Sequence, residues 1–389
     1  MLVSSVTEQK IKANGLQKNV DLKIKNNCKT LILVPDLNVP GGVANYYNSL
    51  QLNGVSNISY FTINKQESNS RVSTTFRVLK NYLYFLLKVI KDRNELVVVN
   101  PSLYPRSFYR DFGFIIFTRS LKKRVIVFFH GWLDSFEEEI KNSMFKSFLF
   151  RISYAKVPEF VVLGKTFKNK LISLGASSDA KFFIETMVAG PKALSRVDLK
   201  EKILSFEKEV IFLFLSRIEK EKGIYIAISA FHEFQKKFPE RKATLIVAGD
   251  GPDLLAVKLY VQEQEISNIQ FFGHITGEDK RRVLQQSHVM LFPSYTEGLP
   301  NVILEGMLYG MPIISRATGA IPEIVHNGIN GYLTESYNPG IFTEFLSLIA
   351  LNVEVYEEIG ERNHKIALER FLNENVKERF IKILQFNEK

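Results

Sequence analysis

The sequence has 389 residues, of which 46% are hydrophobic and 24% charged, with 31 Phe and 15 Tyr. A chain so rich in large apolar side chains is not disordered, and its length, about twice that of a common domain, predicts two domains. No apolar run approaches the ~20 residues of a bilayer span, and residues 1–28 lack the apolar core of a signal peptide, so we expect a cytoplasmic protein.

The net charge of +10 is unevenly distributed along the chain. Residues 1–195 contain 28 Lys+Arg and 14 Asp+Glu, a balance of +14, whereas residues 196–389 contain 23 and 27, a balance of −4. The basic half predicts an anionic partner, which could be nucleic acid, a phosphorylated ligand or a membrane surface. The lone Cys28 excludes an internal disulfide and gives no zinc site.

Short apolar runs alternate with stretches of helical periodicity in both halves. In the first half the predicted strands are Thr30–Pro35, Ile58–Ile63, Leu96–Asn100, Val125–His130, Phe160–Leu163 and Lys181–Val188. In the second half they are Val210–Ser216, Thr244–Ala248, Ile269–Gly273, Val289–Pro293, Pro312–Arg316 and Gly331–Thr334. This alternation is typical of parallel sheets covered on both faces, and two sets in series predict two doubly wound α/β domains. The break at residues 189–191 and the polar stretch Lys192–Glu209 predict the linker between them.

Ligands of open parallel sheets bind at the carboxyl ends of the strands, so the residues that follow each strand are the candidates for a site. The longest candidate is the run Pro293–Met307, in which a loop containing Gly298 precedes Pro300 at a predicted first helical position. Such a helix start offers free N–H groups to a phosphate or a sugar hydroxyl. Glu297 and Glu305 lie eight residues apart, so one carboxylate could meet a sugar ring and the other a ribose diol. As an isolated pair they would more often be solvated surface charges.

The run Pro293–Met307 resembles the E-x7-E signature of retaining glycosyltransferases of family 4, which have the GT-B fold. The resemblance covers almost all of residues 205–385. Further segments agree in order and spacing: Arg217 to Gly223 with the R-x4-K-G element, Gly249–Pro252 with the GDGP turn, Phe272–Ile275 with the F-x-G-x-[VI] segment, and Ala317–Gly331 with the G-G-x-x-E-x-I…G-x-N-G run, where Ala320 replaces a glycine.

The resemblance implies a role for each matched residue. Arg217 and Lys222 would hold the donor diphosphate, Glu305 the ribose and Glu297 the donor sugar ring, with retention of the anomeric configuration. Further donor contacts are implied for Gly249, Gly273, Ile275, Gly298, Leu299 and Pro300. Two cations beside a helix start are what a diphosphate leaving group requires.

The first half matches the family more loosely. Pro40–Ala44 follows the first strand as the family's glycine-rich loop does, which implies that Gly41 and Gly42 approach a phosphate, although a simple tight turn would also need glycine. His130–Gly131 resembles the family's H-G pair, whose His faces the donor sugar. The usual N-G-V-D turn is absent, and Thr186–Ala189 stands in its place.

No P-loop, D-x-D motif or His/Cys cluster occurs, so we expect no metal and no cofactor apart from the nucleotide-sugar substrate. In a metal-free site, Arg217, Lys222 and backbone N–H groups must stabilise the leaving diphosphate.

The segment Arg71–Arg93 projects as a helix with a basic stripe. At 100° per residue, five side chains fall within roughly 80°: Arg77, Lys80, Tyr84, Lys88 and Lys91. One interpretation is a domain helix with a wide buried face. The other is a surface helix that contacts anionic lipid, as do segments of this domain in family members that elongate lipid-linked saccharides. Phe108–Arg124 and Met144–Lys156 repeat the mixture of aromatic and basic residues.

The sequence is therefore interpreted as a GT-B α/β protein of two Rossmann-like domains, with an acceptor domain at 1–191, a nucleotide-sugar domain at 192–366 and a helix at 367–389 that crosses back. The expected activity is transfer of a sugar, for example from a UDP- or GDP-linked donor, to a glycan or lipid-linked saccharide in cell-surface polysaccharide synthesis (lipopolysaccharide or capsule). A peripheral position on the cytoplasmic face of the membrane is expected, without nucleic acid. The alternatives are a nucleotide-sugar epimerase, an inactive binding protein, and a basic membrane- or nucleic-acid-binding protein.

Overall fold

The computed structural model describes residues 28–39, 41–63, 71–191 and 197–386, without the side chains of Asn53 and of residues 71–77. Features predicted at residues 1–27, at Pro40 and at residues 192–196 lie outside this description, and so does the side chain of Arg77.

The first unit is built on a six-stranded parallel sheet in the order β2-β1-β3-β5-β7-β8. Its strands, with a separate two-stranded sheet of β4 and β6, are β1 (Thr30–Pro35), β2 (Ile58–Ile63), β3 (Leu96–Val99), β4 (Ser102–Leu103), β5 (Arg124–Phe128), β6 (Gly131–Trp132), β7 (Glu159–Val162) and β8 (Lys181–Ile184). Its helices are α1 (Gly42–Leu50), α2 (Arg71–Lys91), α3 (Pro105–Ser120), α4 (Asp134–Asn142), α5 (Met144–Ile152) and α6 (Lys165–Ser173). Right-handed crossovers place α1 on one face of the sheet and α2 to α6 on the other.

The second unit repeats the scheme, with a parallel sheet in the order β11-β10-β9-β12-β13-β14. Its strands are β9 (Val210–Leu215), β10 (Ala243–Ala248), β11 (Ile269–Gly273), β12 (Val289–Phe292), β13 (Ile313–Arg316) and β14 (Gly331–Thr334). The helices that follow the first unit are α7 (Leu199–Lys208), α8 (Ile224–Lys237), α9 (Leu254–Glu263), α10 (Gly277–Gln286), α11 (Asn301–Leu308), α12 (Pro339–Ala350), α13 (Val353–Arg370) and α14 (Asn373–Gln385). The central strands of both sheets are buried on both faces, because helices cover each side. The predicted fold class of two doubly wound domains is confirmed.

Several local predictions are wrong; for example, the predicted strand Lys181–Val188 ends at Ile184. The stretch expected as a polar linker contains α7, whose first turn is capped by the Asp198 carboxylate and whose Phe206 is buried against Tyr356. Pro300 is not the first helical residue: its backbone is extended (ψ 128°), and α11 begins at Asn301. The predicted strand Val125–His130 ends at Phe128, after which the chain forms β6 beside β4.

The chain crosses between the two units twice, at neighbouring positions. Residues 189–191 lead from the first unit to the second, and residues 371–373 lead back to the first unit beside them. The Ala189 N–H donates to the Phe371 carbonyl (2.8 Å), and the Asn373 N–H donates to the Gly190 carbonyl (3.1 Å). The two crossings therefore form one hydrogen-bonded connection.

Helix α14 packs on α1 of the first unit, although its sequence lies at the far end of the chain. Phe380 lies against the rings of Tyr46 and Tyr47. Arg379 forms an ion pair with the buried Glu185 carboxylate (Nη2 to Oε1, 2.6 Å). The predicted boundary between residues 366 and 367 falls inside α13, which continues to Arg370. Among the described helices, none has both the length and the hydropathy needed to cross a bilayer.

The Arg379–Glu185 pair should anchor α14, since removal of the guanidinium leaves a buried carboxylate without its cation. We expect Arg379→Ala to lower the free energy of unfolding by about 2–3 kcal/mol, less than for a fully buried pair because Arg379 is partly exposed. Urea unfolding measures the change. Lys382→Ala removes the cation of an exposed pair on the same helix and should cost no more than about 0.5 kcal/mol. Equal losses in the two variants would contradict the anchoring role.

Candidate functional site

The predicted site residues of the second unit lie at the carboxyl edge of its sheet. Arg217 and Lys222 follow β9, and Glu297 follows β12. These two strands are neighbours in the sheet, so the loops after them meet. Glu305 lies on α11, the helix that leaves the same edge.

The loops after β9 and β12 are joined by backbone contacts. The Tyr295 N–H donates to the Glu221 carbonyl at 2.8 Å. A Cβ on Gly223 would lie 2.1 Å from the Pro293 carbonyl oxygen, so only glycine permits this approach.

This contact brings Lys222 and Glu297 together. The Lys222 Nζ lies 2.7 Å from Glu297 Oε1, and the Ser294 hydroxyl donates to the same oxygen at 2.7 Å. Both members of the ion pair are mostly buried. The Glu297 carboxylate is therefore neutralised and fixed in orientation, and two of the ammonium N–H donors of Lys222 remain for another acceptor.

Arg217 is not joined to this pair. Its guanidinium is 72% exposed and pairs with Glu219 (Nη2 to Oε1, 2.6 Å). An exposed ion pair contributes only about 0–1 kcal/mol, so the guanidinium can exchange Glu219 for an incoming anion at little cost.

Glu305 has a partner that the sequence did not suggest. Lys280 on α10 places its Nζ 2.7 Å from Glu305 Oε1, while Oε2 is buried and has no hydrogen-bond partner in the described chain. Buried polar atoms are almost always hydrogen-bonded, so an orphaned carboxylate oxygen indicates a position that a ligand donor would fill. Lys280 follows the Phe272–Ile275 segment by five residues, but no motif marked it.

His130 is buried at the carboxyl edge of the first sheet. Its Nε2 lies 3.0 Å from Asn100 Oδ1, which also accepts from the Tyr47 hydroxyl. Asn100 Nδ2 donates to the Leu33 carbonyl, so its Oδ1 is the acceptor and the His130 proton is assigned to Nε2. The His130 Nδ1 is then a buried acceptor, and it has no partner among the described residues. Burial lowers the pKa of His130 to about 3, which keeps the ring neutral at ordinary pH.

The two units touch across the cleft at His130 and at α6. A Cβ on Gly298 would lie 2.7 Å from the His130 carbonyl oxygen, so the loop of Glu297 passes directly over that peptide. The Thr166 N–H, in the first turn of α6, donates to the Glu323 carboxylate of the second unit at 2.9 Å. The structure thus brings His130 to the Glu297 loop.

The remaining glycines play different parts. Gly41 and Gly42 are exposed at the start of α1, and no atom lies within 4 Å of a Cβ built on either, so protein packing does not require glycine there. The Gly249 N–H donates to the Gly273 carbonyl (2.7 Å), which joins the ends of β10 and β11 behind the Arg217 loop.

Leu299 and Ile275, which were also predicted to contact the donor, pack their side chains against other protein residues. Leu299 is buried in the core, and Ile275 is half-buried against it. Leu299 can therefore offer a ligand little except its backbone atoms, and Pro300, which precedes α11, has no N–H to donate. Within the described ranges, no group of three His, Cys, Asp or Glu side chains is arranged to hold a metal ion.

Burial of His130 predicts a specific pH dependence of stability. As the pH falls from 6.5 toward 3, His130 is protonated in the unfolded chain but stays neutral in the folded protein. The free energy of unfolding that is present above pH 6.5 therefore decreases. Each such histidine contributes a slope of about 1.4 kcal/mol per pH unit. His130→Asn should lessen the slope of unfolding free energy between pH 6 and 4 by about that amount.

The matched control is His274→Asn, because His274 is exposed. Urea unfolding at a series of pH values measures the slope. The buried His288, whose pKa burial also lowers to about 3, keeps a residual slope in both variants. An unchanged slope in His130→Asn would mean that His130 takes up the proton while folded.

Comparisons with known proteins show consistent similarities, mainly in the second unit. The family model "Glycosyl transferases group 1" matches residues 195–366. N-acetyl-alpha-D-glucosaminyl L-malate synthase of Bacillus anthracis is 29% identical over 180 residues, 46% of each chain. The amylovoran biosynthesis glycosyltransferase AmsK of Erwinia amylovora is 24% identical over 178 residues, 44% of this chain and 42% of that protein. The matched region spans about half the length of these curated relatives.

The fold match extends over both units. Anabaena HepE, solved with UDP and glucose, superposes with a TM-score of 0.68 at 14% identity and covers 92% of this chain and 100% of that chain. At this identity the likeness concerns the fold alone.

Proposed function

On the premise that the chain carries a glycosyl transferases group 1 domain of the GT4 type on a GT-B fold, we propose that it transfers a sugar from a nucleotide sugar to a hydroxyl group with retention of configuration. The observation that carries the proposal is the buried Oε2 of Glu305, which has no partner in the described chain, at the carboxyl edge beside Lys280. A ribose hydroxyl would supply the missing donor.

Different residues bind different parts of the nucleotide-sugar donor. Glu305 accepts from the ribose, and Lys280 forms an ion pair with the other oxygen of that carboxylate. Arg217 exchanges Glu219 for the diphosphate, and Lys222 adds a phosphate oxygen while it keeps Glu297. The free N–H groups at the start of α1, beside Gly41 and Gly42, face the phosphates from the first unit. These charges and amides stabilise the leaving group without a metal ion.

On the other side of the cleft, His130 orients the donor sugar. Its Nδ1 accepts a hydrogen bond from a sugar hydroxyl, because the ring is neutral and the Nε2–H donates its hydrogen bond to Asn100 Oδ1. A residue that remains neutral well below pH 6.5 is a hydrogen-bond acceptor here and not a proton donor.

The proposed chemistry is front-face substitution. The acceptor oxygen bonds to the anomeric carbon on the face from which the phosphate leaves, and the departing phosphate oxygen takes the acceptor proton. The ion pair with Lys222 and the hydrogen bond from Ser294 lower the nucleophilicity of the Glu297 carboxylate, which supports this route over a covalent double displacement.

The proposed acceptor is a glycan or lipid-linked saccharide in the synthesis of a cell-surface polysaccharide, with the enzyme peripheral to the cytoplasmic face of the membrane. The amylovoran biosynthesis relative supports the acceptor class. Helix α2 supports the location, because it has more apolar side chains than its packed face can bury. Four of them, at positions that fall within roughly 80° of the helix, are more than half exposed: Leu79, Leu83, Leu87 and Ile90. Lys80 and Lys91 border this stripe on one side, as cations do in a helix that lies at a lipid interface.

Kinetics can separate the two donor contacts. A ribose contact is made equally in the ground and transition states, so Glu305→Ala should raise KM about 10- to 100-fold with little change in kcat. The diphosphate gains charge as it leaves, so Arg217→Ala should lower kcat by about 100-fold. A transfer or donor-hydrolysis assay over a panel of nucleotide sugars measures both.

The matched controls are Glu263→Ala and Arg282→Ala, which remove exposed charges of the same sign elsewhere on the second unit. Both should retain wild-type kinetics. Wild-type turnover in Glu305→Ala and Arg217→Ala together would refute the assigned site.

The membrane location has its own test. The double variant Leu83→Ser/Leu87→Ser should lose most of its co-flotation with anionic vesicles, because each exposed leucine would otherwise contribute about 1.5–3 kcal/mol when buried in lipid. Leu255→Ser/Leu259→Ser changes two exposed leucines of α9 in the second unit and should float as wild type. Undiminished flotation of the α2 variant would make the stripe an ordinary surface.

A further inference from the structure

A cavity of about 630 Å³ lies on the first unit, away from the candidate site. Val157 and Pro158, which precede β7, form one wall, and Ser177 and Ala180, which precede β8, form another. The cavity is therefore at the amino edge of the sheet, whereas His130 follows a carboxyl end. Arg151, near the end of α5, lines the solvent-open mouth of the cavity.

The charged side chains that line the cavity are unpaired. Arg151, Lys156 and Asp179 are exposed; within the described ranges the two cations form no ion pair and no side-chain hydrogen bond, and the Asp179 carboxylate has no cation within 4.0 Å. The Ser177 hydroxyl accepts from the Asp179 N–H at 3.1 Å, which fixes the loop that carries that carboxylate. Two cations and one carboxylate around one cavity fit a phosphate that carries hydroxyl groups: the cations take the phosphate oxygens, and the carboxylate accepts from a hydroxyl.

An apolar stripe on α5 leads to this cavity. Met144 is 92% exposed, Phe145 64% and Phe148 58%. Positions 144, 148 and 151 fall within roughly 60° of the helix, so the stripe ends at Arg151. Exposed apolar residues that lead to a basic cavity are the arrangement that an amphiphile with a charged head requires.

We infer that this cavity binds the phosphodiester headgroup of an anionic membrane lipid with free hydroxyls, of which phosphatidylglycerol is the simplest, while Met144, Phe145 and Phe148 enter the hydrocarbon. The inference rests on the proposed membrane association and adds a specific lipid site to it. Arg151 and Lys156 bind the phosphate, and Asp179 accepts from the glycerol hydroxyls. A free phosphate ester would satisfy the same polar groups, but it would leave the apolar stripe in water.

The test compares vesicles of phosphatidylcholine with vesicles of phosphatidylcholine and phosphatidylglycerol, using the whole chain. Arg151→Ala/Lys156→Ala should lower the phosphatidylglycerol-dependent partition coefficient roughly 30-fold. Lys200→Ala/Lys208→Ala removes the same charge from exposed positions of α7 and should keep wild-type partition. Phe145→Ser/Phe148→Ser should lower partition to both kinds of vesicle.

Each outcome decides the inference. If Arg151→Ala/Lys156→Ala and Lys200→Ala/Lys208→Ala lowered the partition coefficient equally, the cavity would be overturned as a site, since the total charge of the protein would then explain the binding. Glycerol 1-phosphate that raises the wild-type melting temperature, but not that of Arg151→Ala/Lys156→Ala, with vesicle partition unaltered, would identify a soluble ligand instead of a lipid.

A nucleotide-sugar thermal shift on the same proteins keeps the two proposals apart. Arg151 and Lys156 lie at the opposite edge of the sheet from the donor site, so their variant should retain the wild-type shift. No shift in the wild type would defeat the proposed transferase while the lipid site could still be measured. A normal shift with no preference for phosphatidylglycerol would defeat the lipid site alone.

Discussion

Close backbone contact at the carboxyl edges is the constraint on which the candidate site depends. Gly223 lets the loop after β9 lie against the Pro293 carbonyl, and Gly298 lets the next loop lie over the His130 carbonyl. In each contact the glycine backbone lies closer to the facing carbonyl oxygen than a residue with a Cβ could. These contacts set where Lys222 meets Glu297 and where the second unit meets the first. The charged side chains only complete an arrangement that the main chain has already fixed.

The distribution of charge acquires a structural meaning from this arrangement. In the acidic second unit, the two signature carboxylates are each balanced by a lysine, Lys222 or Lys280. The excess positive charge of the first unit is different, since Lys80, Lys91 and Arg151 lie on its outer helices beside exposed apolar residues. One set of cations is internal and paired, and the other faces outward. The net charge of +10 therefore describes the surface of one unit and says little about the chemistry in the cleft.

The sequence predicted the sheets well because buried parallel strands are uniformly apolar and cannot be mistaken for surface segments. It missed α7, because a helix that buries only one narrow stripe is mostly polar in composition. It also missed Lys280, since the Lys280–Glu305 pair joins residues on two helices and leaves no local pattern. The exposed stripe of α2 was equally hidden: periodicity identifies the apolar residues of a helix, but not how many of them the neighbouring α3 covers.

The packing of α14 on the first unit has a consequence for biosynthesis. The rings of Tyr46 and Tyr47 lie against Phe380, and the buried Glu185 forms its ion pair with Arg379. The amino-terminal unit thus leaves the ribosome with part of its core exposed and an acidic side chain without its cation. Its packing can be completed only after α14, which follows the second unit in the chain, has been synthesised. Although domains of a growing chain usually fold in the order of their synthesis, here the complete packing of the first unit requires a helix that is translated after the second unit.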